Sequence, residues 1–245
     1  MRNRFLTIAL LSLITSSAAQ AALIARGTDM VYDDVNNITW ASDANLFKTQ
    51  AASNPNLVSE IIVANGGVIN DTPNYFDTVP NSGVYSLSSA DFVTSSGTMS
   101  WWGAQAWANN LSLGGYTDWS LPTTAFQIAG YNQTNSQLGD LFYNQLSGVA
   151  GTSITTAHND NYNLFSNVQS YIYWSSTEYA SVPLSAWHFV TYDGGQFGNG
   201  KFLQLYAWAV RPGDVSVAAV PLPGAVWLFL SGLGLVSFKR KLKKI

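Results

Sequence analysis

The side chains able to do chemistry are few. The chain has two histidines, His158 and His188, and no cysteine, which removes thiol nucleophiles and thiolate metal sites. No G-x-S-x-G string marks a serine nucleophile. His188 lies between Trp187 and Phe189 in a strand-like run, where a structural imidazole is expected over a base. His158 and Asp160 share a polar stretch; metal binding there competes with ordinary loop chemistry. Asp33, Asp34, Asn36 and Asn37 bring oxygens together but lack the spacing and glycine of an EF-hand, so a turn is expected and a Ca²⁺ role has no motif behind it. Glu178, in Ser175-Ser176-Thr177-Glu178, is the carboxylate best suited to meet a ligand; a structural cap is its competing role. Trp102 sits beside Gln105 and Asn109 on a helix face. An aromatic ring offers apolar area to a sugar's C–H face, and amides meet its hydroxyls. Packing of Trp102 under the segment before it is the alternative. Trp102, Gln105, Asn109 and Glu178 are thus the candidate ligand-binding residues, and no catalytic or metal set is assigned.

These residues must be held by elements the sequence also marks. Met30–Trp40 reads as a hairpin turning at Asp34–Asn37, since Asn tolerates positive φ. Residues 47–98 are rich in Asn, Ser, Thr, Gly and Pro and read as an insertion or loop excursion, with one helix at Asn56–Asn65. Trp101–Leu111 is the clearest helix, capped by Ser100 and ended by Gly114-Gly115. Trp101, Ala104, Trp107, Ala108 and Leu111 share one of its faces and Trp102 the other. Leu121-Pro122-Thr123 signals a second helical start, and Gln137–Leu146 a third helix. Tyr171–Ser175, Ala186–Tyr192 and Ala207–Arg211 read as strands, with a turn at Asp193-Gly194-Gly195. The order implies an α+β domain whose first and last strands pair in one sheet.

The ends carry addresses rather than core. Arg2 and Arg4, the apolar run Phe5–Ile14 and the small residues Ala19 and Ala21 form an export signal cut after Ala21. An uncleaved anchor helix is the competing reading. At the other end, Pro221-Leu222-Pro223 precedes an apolar run, Ala225–Phe238, and then Lys239, Arg240, Lys241, Lys243 and Lys244. As a helix at ~1.5 Å per residue this run is about 21 Å long, short of a ~30 Å hydrocarbon core. It can anchor by local thinning, with the cations held on the cytoplasmic side. A buried terminal helix with a solvated basic end is the alternative. The expected divisions are 1–21 signal, 22–214 domain, 215–220 linker and 221–245 anchor.

Between the ends the balance is acidic. Only Arg26, Lys48, Lys201 and Arg211 oppose fourteen acids there, a net charge of −10. Nucleic acid needs a positive footprint and is excluded as a partner. About 200 residues suffice for one substantial core, and eight tryptophans in this region supply it.

The tail, Val220 to Lys244, resembles the PEP-CTERM sorting segments of Gram-negative bacteria, with Leu222 where the family usually has Glu. The resemblance implies an exosortase-type processing enzyme, transient hold on the inner membrane, and release to the cell surface or extracellular matrix. The body carries MVYDDVNNITW, GGYTDWSLPT, YWSSTEYA, AWHFVTYDGGQ and AWAVRPG. This series resembles the bacterial Lcl C-terminal-like domain from about Thr28 to Asp214, excluding 47–98. The family's usual Arg is replaced by Ser120, and its usual Glu by the stretch Thr124-Ala125-Phe126. The resemblance implies an extracellular domain with a C-type-lectin-like fold, built on a small mixed or antiparallel sheet and two or three helices. The expected function is a non-enzymatic, glycan- or exopolysaccharide-associated adhesion module without a cofactor. A structural matrix protein and a polysaccharide-acting enzyme are the alternatives.

Overall fold

The computed structural model describes residues 23–215. The expected export signal, the Pro221–Pro223 turn and the apolar tail fall outside the described residues. Among those described, no helix is long and apolar enough to cross a membrane.

The architecture is α+β with antiparallel sheets. Strands β1 (Leu23–Arg26), β2 (Met30–Asp33) and β3 (Ile38–Ala41) form a meander. The β2–β3 turn is the expected hairpin, and Asn37 takes φ 49° there. Asp33 fixes the turn by accepting from the Val35 and Asn36 backbone N–H groups at 3.0 and 3.1 Å. Helices α1 (Leu46–Ser53) and α2 (Leu57–Ala64) follow, then β4 (Val68–Asn70), β5 (Val84–Ser86), β6 (Phe92–Val93) and β7 (Thr98–Met99). Helix α3 (Trp101–Asn109) leads to α4 (Gln137–Asp140), which continues as a π-helical turn over Leu141–Gln145. Three long strands, β8 (Ile172–Glu178), β9 (Ser185–Val190) and β10 (Gln196–Gly200), make a second antiparallel sheet. Strand β11 (Val210–Pro212) returns to pair with β3, so the first and last strands share a sheet as expected.

The β8–β10 sheet separates two apolar clusters. Successive strand residues point to opposite faces, so Trp174 enters one cluster and Tyr173 the other. The first gathers Phe47, Met99, Trp101, Trp102, Trp107 and Trp174. The second gathers Trp40, Phe142, Tyr173, Phe189 and Trp208, with Trp40 and Trp208 edge to face at 5.4 Å. Edge-to-face pairs of this kind add about 0.5–1.5 kcal/mol beyond burial.

One expectation is corrected. Leu121-Pro122-Thr123 starts no helix: residues 121–130 run extended or bent. The Pro122 carbonyl accepts from Ser176 N–H at 2.8 Å and Thr124 N–H donates to Thr177 Oγ1 at 2.9 Å. Pairing with β8 thus outbids a local helix signal. Residues 47–98, expected as an insertion or loop excursion, pack against the body. Phe47, Ile61, Ile69, Leu87 and Phe92 are buried in the first cluster, because the polar residues between them supply turns while these five point inward.

Candidate functional site

Helix α3 is the element that places most candidate residues. Ser100 caps it, its hydroxyl accepting from Gly103 N–H at 3.1 Å and donating to Asp91 at 2.6 Å. A Cβ at Gly103 would stand 2.6 Å from the Asp91 carbonyl oxygen, so a glycine is required where α3 lies against that turn. Seven of the nine residues from Trp101 to Asn109 are buried. Only Gln105 and Asn109 look outward, half-buried and exposed respectively.

Those two residues line a polar cleft of about 390 Å³ together with Asn65, Val68, Ile69 and Asn70. Asn65 is fixed by donating to the Ile61 and Ala106 carbonyls at 2.8 and 3.1 Å. Gln105 donates to the Ser176 carbonyl at 3.4 Å, long for a hydrogen bond and so easily exchanged. Asn70 and Asn109 are exposed. Four amides around two aliphatic side chains can exchange donors and acceptors with hydroxyls while covering C–H groups. No carboxylate or imidazole lines the cleft.

Of the two roles expected for Trp102, the packed one under residues 47–98 is the one found. It is 1 % exposed, stacked on Tyr85 with centroids 3.8 Å apart and planes 5° apart. The cause is residues 47–98, which cover that side of α3. Its indole N–H donates to Asp71 at 2.8 Å. Composition points the same way: Trp101–Asn109 contains no charged residue, unlike a helix with a solvated face. The exposed rings lie nearby instead, at Tyr75, Phe76 and Phe202, 72 %, 38 % and 54 % exposed. Phe76 is 5.4 Å from Phe202 and 6.0 Å from Trp102.

Glu178 joins Trp102 in a buried ionic cluster. Lys201 Nζ lies 2.6 Å from Asp71 and 3.0 Å from Glu178. The side chains of Lys201 and Asp71 are wholly buried, and that of Glu178 is 24 % exposed. The ammonium rests 4.6 Å over the Trp101 ring. Sequence reading missed Asp71 and Lys201 because 130 residues separate them. Close by, burial first and then Asp91 push the Tyr85 phenol above its ordinary value, and its hydroxyl donates to Asp91 at 2.9 Å.

The recurring motifs mostly hold one another. Arg211 binds Asp118 through two hydrogen bonds of 2.8 and 2.9 Å and lies 4.1 Å over the Tyr116 ring. The Arg211 hydrogen bonds hold the Asp118 carboxyl below the usual range. Thr124 donates to Ser175 at 2.9 Å. Ser120 pairs with Val210 through its backbone alone. His158 stacks on Tyr162 at 4.0 Å and bonds the Asn159 carbonyl rather than Asp160. Among the described residues, no group of three or more His, Asp or Glu side chains could hold a metal ion.

His188 is 4 % exposed, and its Nδ1 has no hydrogen-bond partner. Burial pushes it down to about 4 from 6.5, with Asp193 opposing more weakly. Between these values the unfolded chain binds a proton the folded chain resists. Stability is therefore full above pH 6.5 and falls as pH drops toward 4, by roughly 3 kcal/mol in all. Urea unfolding at pH 7 and pH 4.5 should show this drop, and His188→Gln should flatten it. Equal slopes in both proteins would disprove the linkage.

No curated protein and no solved structure matches the chain. Motifs quoted from both ends of the domain meet in space: the hairpin strand β3 pairs with β11, and the Asp118 loop is locked by Arg211. A family match spans this same unit, residues 29–211, and by it the chain belongs to the Lcl C-terminal domain family.

Proposed function

We propose that this chain is an exported, non-enzymatic binding module that attaches to glycan, with extracellular polysaccharide as its partner. The observation that carries the reading is the cleft of Asn65, Asn70, Gln105 and Asn109 around Val68 and Ile69. Its lining matches a neutral, hydroxyl-rich ligand and offers no acid–base pair for cleaving one. The acidic body repels anionic polymers, which narrows the ligand to neutral or weakly charged glycan. Exposed Tyr75, Phe76 and Phe202 provide ring faces of the kind sugars stack upon. A C-type-lectin-like fold belongs to the same reading. It is supported by terminal strands that share one sheet beside a separate three-stranded sheet.

The export signal and the PEP-CTERM-like tail place the domain outside the cytoplasm in this proposal. An exosortase-type enzyme would process the tail after a transient stay at the inner membrane, delivering the domain to the cell surface or matrix of a Gram-negative bacterium. Both segments rest on sequence pattern.

A structural matrix role is the second reading, favoured by a separate apolar surface. Phe126, Ile128, Tyr131 and Phe197 are 58 %, 53 %, 47 % and 36 % exposed, and Tyr131 meets Phe197 at 6.4 Å. The test is retention of the chain on the producer's exopolysaccharide. Gln105→Ala with Asn109→Ala removes two hydrogen-bonding side chains at ~1 kcal/mol each, a roughly tenfold or greater loss of retention. Unchanged retention, with self-association lost on Phe126→Ser and Phe197→Ser, would favour the matrix role instead.

A further inference from the structure

We propose that Lys201 and Asp71 condense spontaneously into an intramolecular amide bond, with Glu178 as the proton carrier. The geometry carries this. A primary amine and a carboxylate stand 2.6 Å apart, both with fully buried side chains, and a second carboxylate lies 3.0 Å from the amine. The rings of Trp101 and Trp102 flank the ammonium at 4.6 and 5.9 Å. Water is thus kept from the site, and hydrolysis of the product is suppressed. Fixing both partners in contact replaces a bimolecular encounter with a local one, worth an effective molarity of about 10⁵–10⁸ M.

The two Asp71 oxygens have unequal surroundings. Oδ2 accepts from the Trp102 indole N–H at 2.8 Å and from the Asn74 amide at 3.0 Å, besides Lys201. Oδ1 is buried with no hydrogen-bond partner. That is the asymmetry an acyl transfer uses. The donors on Oδ2 stabilise the negative charge of a tetrahedral intermediate. The orphaned Oδ1 is the oxygen that leaves.

The atoms balance without any co-reactant. Lys201 begins as an ammonium with three protons on Nζ. One passes through Glu178 to Oδ1, leaving a free amine beside a neutral carboxylic acid. The Nζ lone pair attacks Asp71 Cγ and forms the C–N bond. A second Nζ proton passes through Glu178 to Oδ1, the C–Oδ1 bond breaks, and one water departs. Nζ keeps one proton, Oδ2 becomes the amide carbonyl, and Glu178 returns to carboxylate. Glu178 is held for this task by Thr72 N–H at 3.1 and 3.3 Å, one residue after Asp71. Both buried charges of the Lys201–Asp71 pair disappear, which relieves their desolvation. The bond would join positions 130 residues apart in a chain without cysteine.

Tryptic digestion of the denatured full-length protein tests this directly. Lys201 is the only Lys or Arg between Lys48 and Arg211. An unlinked chain releases a fragment that begins at Thr49 and ends at Lys201. The linked chain resists cleavage there, and its fragment runs past Lys201 with a mass one water below its sequence. Lys201→Arg and Asp71→Ala should abolish the mass deficit. Glu178→Gln should slow its appearance by about 10²–10⁴-fold. Should those variants misfold, the native protein alone decides the matter: recovery of the fragment ending at Lys201, at full mass, overturns the proposal. A Glu178→Gln chain that links as fast as the native one overturns the role given to Glu178.

Discussion

Lys201→Met will lower the unfolding free energy by about 3–5 kcal/mol. The substitution keeps most of the side-chain volume and removes only the charge and its donors. Asp71, wholly buried, is then left with the Trp102 indole and the Asn74 amide but no cation. An unpaired carboxylate in that setting costs far more than the ion pair contributed. Where Lys201 and Asp71 stand as an ion pair, the paired change Lys201→Met with Asp71→Leu should recover most of the loss, since replacing a buried ion pair by apolar groups is often neutral or better; where the amide joins them, the double variant loses the cross-link and stays as destabilised as the single ones. Denaturant midpoints at pH 7 for the two single variants and the double variant give the coupling between them. Additive effects would show that the two residues do not act together. The same result bears on architecture, because Asp71 belongs to residues 47–98 and Lys201 follows β10.

The local elements were largely legible in the sequence. The Met30–Trp40 hairpin, the Ser100-capped helix and the Asp193–Gly195 turn all rest on interactions within a dozen residues, and each formed as expected. So did the pairing of terminal strands, because short apolar runs at both ends of a domain need a common sheet. The failures share a cause in long-range contacts. Pro122 and Thr123 look like a helix start only until Ser176 and Thr177 claim the neighbouring backbone. In residues 47–98 the buried Phe47, Ile61, Ile69 and Leu87 follow no single period, so the cluster they share was not legible locally. The candidate site divided the same way. Gln105 and Asn109, four residues apart on one helix, do line one cleft. Trp102 and Glu178 were drawn instead into a cluster centred on Lys201, which nothing local identifies.

Trp102→Ala will destabilise the domain by about 3–5 kcal/mol, the usual cost of deleting a buried indole. Three interactions go at once: the stack on Tyr85 at 3.8 Å, the hydrogen bond to Asp71 at 2.8 Å, and the floor beneath Phe76 at 6.0 Å. The loss should appear as a lower urea midpoint with little change in slope, since the surface exposed on unfolding is nearly the same. On the same helix, Gln105→Ala and Asn109→Ala should stay within about 0.5 kcal/mol of the native protein, because their side chains line a wet cleft. Retention on glycan should show the reverse order at constant folded fraction, with Gln105 and Asn109 mattering and Trp102 not. This separation distinguishes a ring that builds the domain from side chains that meet the ligand. A Trp102→Ala protein with a native urea midpoint and no glycan retention would place the indole at the binding surface, and the cleft would lose its standing as the site.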